Sequence, residues 1–245
     1  MKKLSFFLFL HVFILSLTSC VDSEEINRSS YVSYAVIDHA EDMGGYVLNL
    51  PNVVLAAPEL ASSNLTKGNC IQVHFTIDYN NQPFSYYTAT GIQYKLLNNT
   101  SAKIESGDMN DEYKDSINRI TLEETSPLLL GNLFVNIERK EESSQLYSYE
   151  LICNPDSIDE KGVNTVFLKA HQSDKTAGNA TNFSIETFNL KPLFEAYGEK
   201  DSTVVAPDPE QIYILLNLKY QSGIKEGIPV YKAYNNEPLK IAIFK

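Results

Sequence analysis

Apolar and polar side chains alternate strictly over Ile71-Gln72-Val73-His74-Phe75-Thr76-Ile77-Asp78-Tyr79. Successive side chains of a strand point to opposite faces, so a period of two marks a strand with one buried face. Asn80-Asn81-Gln82-Pro83 follows as a turn, and Tyr86 to Leu97 reads as a second strand that closes a hairpin. Tyr31 to Ile37 and Tyr46 to Leu50 flank a Gly44-Gly45 turn. The second half continues in this style, with strands expected at Leu133 to Ile137, Tyr147 to Cys153, Val166 to Ala170, Phe183 to Phe188, Ile212 to Tyr220 and Lys240 to Phe244. Helical periodicity is weak except at Leu190 to Tyr197, a short helix that Pro192 is expected to interrupt early. Many short strands separated by turn signals make this an all-β chain, built as a sandwich or a barrel.

The beginning of the chain carries a different signal. Lys2 and Lys3 precede an apolar run from Leu4 to Leu17, and Leu17-Thr18-Ser19-Cys20 closes it. That order is a secretory signal. Its end resembles a bacterial lipobox. The resemblance implies cleavage before Cys20, a diacylglycerol on its sulfur and a fatty acyl group on the new amino terminus. The apolar run is 14 residues long. A bilayer span takes about 20, so residues 1–19 are expected to be a signal and Cys20 an anchor. Val21-Asp22-Ser23-Glu24-Glu25 has the composition of a solvated linker, and residues 20–30 read as a tether. The same acids resemble the export tag that some Gram-negative anaerobes place after a lipidated cysteine. The expected location is the outer membrane, with the chain lipid-anchored and facing the cell surface.

Charge narrows the partners. The formal net charge is −11, and it becomes −13 once Lys2 and Lys3 leave with the signal. Phosphate backbones select basic footprints, so the chain is not expected to bind nucleic acid. A 43% hydrophobic content is enough for a core. Cys70 and Cys153 fall in separate strand-like segments and read as two buried thiols. No zinc spacing, nucleophile elbow or phosphate-binding glycine loop is present. His39, His74 and His171 show no ligand spacing. Asp108-Met109-Asn110-Asp111-Glu112 begins like a calcium loop, but Tyr113 stands where the sharp turn needs glycine. No cofactor, metal or catalytic residue is expected, and the chain is read as a non-enzyme.

The stretches Tyr34-Ala35-Val36-Ile37, Lys67-Gly68-Asn69-Cys70-Ile71-Gln72-Val73, Asn164 to His171 and Phe183 to Leu190 resemble the NigD-like lipoproteins. Cys70 stands where that family's pattern has an arginine-like residue. The resemblance implies a small N-terminal OB-like barrel followed by a C-terminal β-sandwich. It brings no catalytic residue with it. The barrel is expected over residues 31–112 and the sandwich over 113–245. The polar stretch from Asn98 to Pro127 is expected to connect them.

Two sets of surface residues are candidates for function. The chain has no Trp but 15 Tyr. Tyr86, Tyr87, Tyr231 and Tyr234 lie near turns and are candidate ligand contacts, whereas Tyr147 and Tyr149 alternate into an apolar face. Asp-Ser followed by Ile or Thr recurs at Ser116, Ser157 and Ser202. That pattern resembles the O-glycosylation acceptor of exported proteins in the same kind of bacteria. The expected function is an accessory or interaction lipoprotein that contacts an envelope protein. The alternative is a surface glycan-binding lipoprotein that uses exposed tyrosines.

Overall fold

The structure is a computed structural model that describes residues 27–82, 85–107, 116–122, 127–204 and 210–244. Five strands make the N-terminal body: β1 (Arg28–Ala40), β2 (Gly45–Leu50), β3 (Val53–Ala56), β4 (Cys70–Asp78) and β5 (Tyr87–Leu96). They close into a ring in the order β1-β2-β3-β5-β4. All pairings are antiparallel except β3 with β5, which is parallel and spans only Leu55↔Tyr87 and Ala56↔Thr88. This is the OB-like barrel expected from the sequence. The alternation in β4 serves it directly, since Ile71, Val73, Phe75 and Ile77 all point into the barrel core. A 3-10 turn, Pro58–Ser62, stands where β3 gives way, and its Leu60 joins the same core. The Glu59 carboxylate accepts from the backbone N–H groups of Gly91 and Ile92, both at 3.1 Å. Those donors belong to β5 beyond the end of β3, so a side chain satisfies what the short strand leaves open.

The second body is a β-sandwich of ten strands. In chain order they are β6 (Asn99–Ser101), β7 (Lys103–Ile104), β8 (Ile117–Leu122), β9 (Leu128–Leu129), β10 (Asn132–Cys153), β11 (Val163–Asn189), β12 (Glu199–Lys200), β13 (Gln211–Lys225), β14 (Ile228–Ala233) and β15 (Leu239–Phe244). Strands β10 and β11 run for 22 and 27 residues and form one long hairpin. Register shifts between Glu138 and Tyr147 interrupt it. Such irregularities bend a ribbon, and this one contributes to both layers. The first half of β10 pairs with β8 and β9, and the end of β11 pairs with β6. The second half of β10 pairs with β7, and the start of β11 pairs with β13, which also holds β12, β14 and β15. Leu133, Val135 and Ile137 from one half meet Leu151, Val166, Leu168, Ile214 and Leu216 from the other in a single core.

The α-helix among the described residues, α1 (Lys191–Tyr197), lays Leu193 and Phe194 on that core. Pro192 does not interrupt it. It sits in the first turn, where an N–H has no helical partner to lose. The backbone turns extended at Gly198, and only glycine fits there: a Cβ would lie 2.4 Å from the Phe194 carbonyl oxygen and 2.5 Å from Ile212 Cγ2.

The change from one body to the other comes earlier than the sequence suggests. Strand β5 ends at Leu96, and β6, β7 and β8 already belong to the sandwich. The expected boundary at 112 therefore falls between sandwich strands, and the described parts of 98–127 hold sandwich strands in place of a free linker. Its polar composition misled because short edge strands need few apolar residues. Ala102, Ile117, Ile120 and Leu122 suffice. At the other end β1 begins at Arg28, inside the expected tether.

A third cluster joins the two bodies. In β1 the side chains of Ala35 and Ile37 face the barrel core, while Tyr34 and Val36 face outward. Val36, its cross-strand partner Cys70, and Leu97 pack against Leu129 and Phe134 of the sandwich. The Tyr34 and Phe134 rings stack at 5.3 Å, and the Tyr34 hydroxyl donates to Asn136 Oδ1 at 2.8 Å. No slack remains between the bodies: Leu97 N–H donates to the Cys70 carbonyl, and Thr187 N–H donates to the Asn98 carbonyl. Asn98 Nδ2 donates to the buried carboxylate of Glu186 at 3.3 Å. Burial pushes that carboxyl up to about 7, against the opposing pull of Asn98 and the Lys95 charge.

Cys70 lies in this seam and Cys153 in the sandwich core, and both are free thiols. Burial pushes each up to about 11. The reactive species is the thiolate, so neither cysteine is expected to take up a maleimide or a disulfide reagent in the folded protein at pH 8. Both are expected to label once denaturant is added. Peptide mapping that finds either one modified in the native state would contradict this packing.

Candidate contact cleft and ribbon

The ring is closed at the start of β2, where the Tyr46 hydroxyl donates to the Leu65 carbonyl at 3.0 Å and Leu60 and Leu65 fill the core. It is open at the other end. Strand β2 pairs with β1 only from Val36 onward, so among the described residues β1 before Val36 has β4 alone as a partner. Between that stretch of β1 and the turn joining β2 to β3 lies a cleft of about 380 Å³. Core side chains Leu50, Leu55, Phe75 and Ile77 form its floor, and Tyr31, Val32, Val53, Tyr79 and Tyr87 form its rim. Tyr31 stacks on Phe75 at 5.5 Å, and Tyr87 meets Tyr79 edge-on at 5.6 Å. The Tyr31 and Tyr79 hydroxyls are hydrogen-bonded at 2.5 Å, which raises the Tyr79 phenol above its ordinary value. Ser33, Asn52 and Pro51 complete the lining, and none of its residues carries a charge. Such a surface binds by burying apolar area.

A second exposed apolar feature lies on the sandwich. Strands β13 and β14 continue past the neighbours of β13 as a two-stranded ribbon, joined by Glu226 and Gly227. Both turn residues have positive φ, 54° and 81°, the hand that suits the twist of a tight hairpin. Ile228 and Val230 lie on one face, with exposures of 56% and 41%. Ile224, paired with Pro229, lies on the other at 43%.

The strand order of the ring, with its one parallel pairing, decides the likeness of the N-terminal body. Residues 26–95 match the family model of the lipoprotein OB domain. No curated protein matches the chain. Solved structures resemble it over both bodies. A NigD-like immunity protein from Bacteroides caccae aligns with a TM-score of 0.53 at 13% identity, over 86% of this chain and 97% of that one. An uncharacterised protein from Parabacteroides merdae aligns at 0.59 with 14% identity, over 87% and 98%. A protein of unknown function from Bacteroides vulgatus aligns at 0.53 with 14% identity, over 84% and 90%. At these identities the likeness is one of fold. The resemblance to NigD-like lipoproteins read from the strands holds at that level, and the lipoprotein OB domain match covers the N-terminal body alone.

The structure separates the four candidate tyrosines. Tyr87 is exposed on the cleft rim, and Tyr86 is half-buried beside it. Tyr231 lies on the sandwich, edge-on against Phe167 at 4.9 Å, and Tyr234 packs on the sandwich core. They do not form one ligand platform. The tyrosines that do gather, Tyr31 and Tyr79 with Tyr87, were missed as partners because Tyr31 and Tyr79 read as ordinary strand residues. The register Tyr31↔Phe75 between β1 and β4 is what brings them together. Ser202 is exposed in the turn after β12. Ser157 is half-buried and donates to the Asn154 carbonyl at 2.7 Å. Ser116 lines a separate polar cleft with Arg139 and Tyr147, where the guanidinium lies 3.7 Å over the ring. His39 packs on Tyr46 at 4.2 Å, His74 faces outward from β4, and His171 lies 3.6 Å from Glu150. Among the described residues no three His, Cys, Asp or Glu side chains gather as metal ligands. Residues 1–26, including Cys20, and the acidic loop at 108–115 lie outside the described residues.

Proposed function

We propose that this chain is a non-enzymatic outer-membrane lipoprotein, anchored through Cys20, that works by contact with an envelope protein. The observation that supports this most is the β13–β14 ribbon. Isolated surface apolar residues are ordinary, but a ribbon with apolar side chains on both faces, whose strand β14 pairs among the described strands with β13 alone, is a surface that other chains cover. Ile228 and Val230 offer one such face and Ile224 the other. The glycan reading draws less support, because the tyrosines it relied on are divided between the two bodies.

The test is site-specific photocrosslinking in intact cells, with the natively lipidated, C-terminally tagged chain. The crosslinker is placed at Ile228 and, as a control, at Lys67, whose side chain is 71% exposed on the barrel. One envelope protein captured from position 228, not from 67, and lost in the Val230→Glu variant is the expected result. Equal capture from both positions would remove the ribbon as the contact surface.

A further inference from the structure

We infer that the open end of the barrel is seated on the lipid surface, with Tyr31, Val32, Val53 and Tyr87 in the membrane interface. The inference shares with the proposed function only the anchor at Cys20. It concerns a different surface and a different partner.

Three observations carry it. The first is where the described chain begins. Asn27 lies at the cleft end of β1, and its carbonyl accepts from Tyr79 N–H at 2.9 Å. Six residues lie between Cys20 and Asn27, so seven Cα–Cα steps join them, and an extended chain spans at most about 3.3–3.6 Å per step. The acyl chains therefore hold this end of the barrel within about 25 Å of the bilayer, whatever path the tether takes. The second is what the end presents. Val32 is 68% exposed, Tyr87 45%, Val53 41% and Tyr31 38%. Tyrosine rings favour the headgroup level, where an apolar body and a polar hydroxyl are both satisfied.

The third is charge. The chain has 31 acidic residues and a net charge of −11, yet no lining residue of the cleft is charged. The carboxylate of Asp78, at the same end of β4, is paired with Arg28 at 2.7 Å. An anionic membrane surface repels most faces of such a chain. The cleft lining and Asp78 bring no unpaired carboxylate against lipid, and Asp22, Glu24 and Glu25 belong to the tether that the anchor already holds at the membrane. Acyl anchors would fix the chain to the membrane in any orientation. The uncharged aromatic rim selects one.

The absence of tryptophan supplies the probe. The natively lipidated full-length chain is prepared as Tyr87→Trp and, separately, as Ile228→Trp on the ribbon. Each is reconstituted in phosphatidylethanolamine–phosphatidylglycerol vesicles with and without brominated acyl chains. The expected result is that Tyr87→Trp loses most of its emission in the brominated vesicles while Ile228→Trp keeps its own. Adding Val32→Asp, at a position exposed enough to leave the fold intact, is expected to restore the emission of Tyr87→Trp while the protein still floats with the vesicles. Unquenched Tyr87→Trp on floating vesicles would overturn the seating, leave the anchor standing, and turn the cleft toward a protein or a glycan. Failure to float would remove the anchor at Cys20 and the seating with it.

Discussion

Phe134→Ala is expected to lower the stability of the folded chain by about 3–5 kcal/mol, the range for removing a large buried ring. Phe134 is 2% exposed and stacks on Tyr34 across the junction of barrel and sandwich. The void would open where Val36, Cys70, Leu97 and Leu129 converge, and all four are held by backbone that is hydrogen-bonded in strands or to them. Little collapse is available to fill it. The loss should also change the shape of unfolding. Because Phe134 sits between two bodies with separate cores, the variant is expected to melt in two steps in urea where the parent melts in one. A loss under about 1 kcal/mol, with a single sharp transition, would mean that the junction is not the tight contact described.

Glu186→Gln is expected to stabilise the protein at pH 8 and to do almost nothing near pH 4.5. Burial raises the folded-state carboxyl from 4.5 to about 7. The folded state therefore keeps a proton that the unfolded chain releases between those values. Stability from this group is full below about 4.5 and is lost as pH rises through 7, because the charged form must then stay buried. Glutamine has the same shape, no charge to desolvate, and an oxygen that can still accept from Asn98. At a free-energy equivalent of about 1.4 kcal/mol per pH unit, the gain at pH 8 is at most about 3.5 kcal/mol. Urea denaturation at both pH values reads it. An equal difference at pH 4.5 and pH 8 would show that the carboxylate is already solvated.

Much of the fold was legible because strands with one wet face write themselves as alternation. Ile71 to Ile77 and Ile212 to Leu218 are the clearest cases, and both are central to their sheets. Alternation fails where both faces of a strand are covered. Ala35, Val36 and Ile37 are consecutive and all buried, because odd positions serve the barrel and Val36 serves the junction. Nothing local separates that run from the middle of any buried strand, so the junction was invisible. Edge strands such as Asn99–Ser101 were invisible for the opposite reason, being polar on both faces. The cleft was legible only as a surplus of tyrosine. Its assembly needs the β1–β4 register and the early end of β2, which are properties of pairing that no single segment encodes.

The junction has a mechanical meaning as well. Domains joined by a flexible linker sample many distances from whatever holds them. Here Leu97, the residue that follows β5, is itself packed in the shared cluster, and the next two are hydrogen-bonded to the sandwich. The two bodies therefore behave as one stiff strut. The height at which the β13–β14 ribbon stands above the first residue of β1 is a constant of the fold, like the length of a ruler.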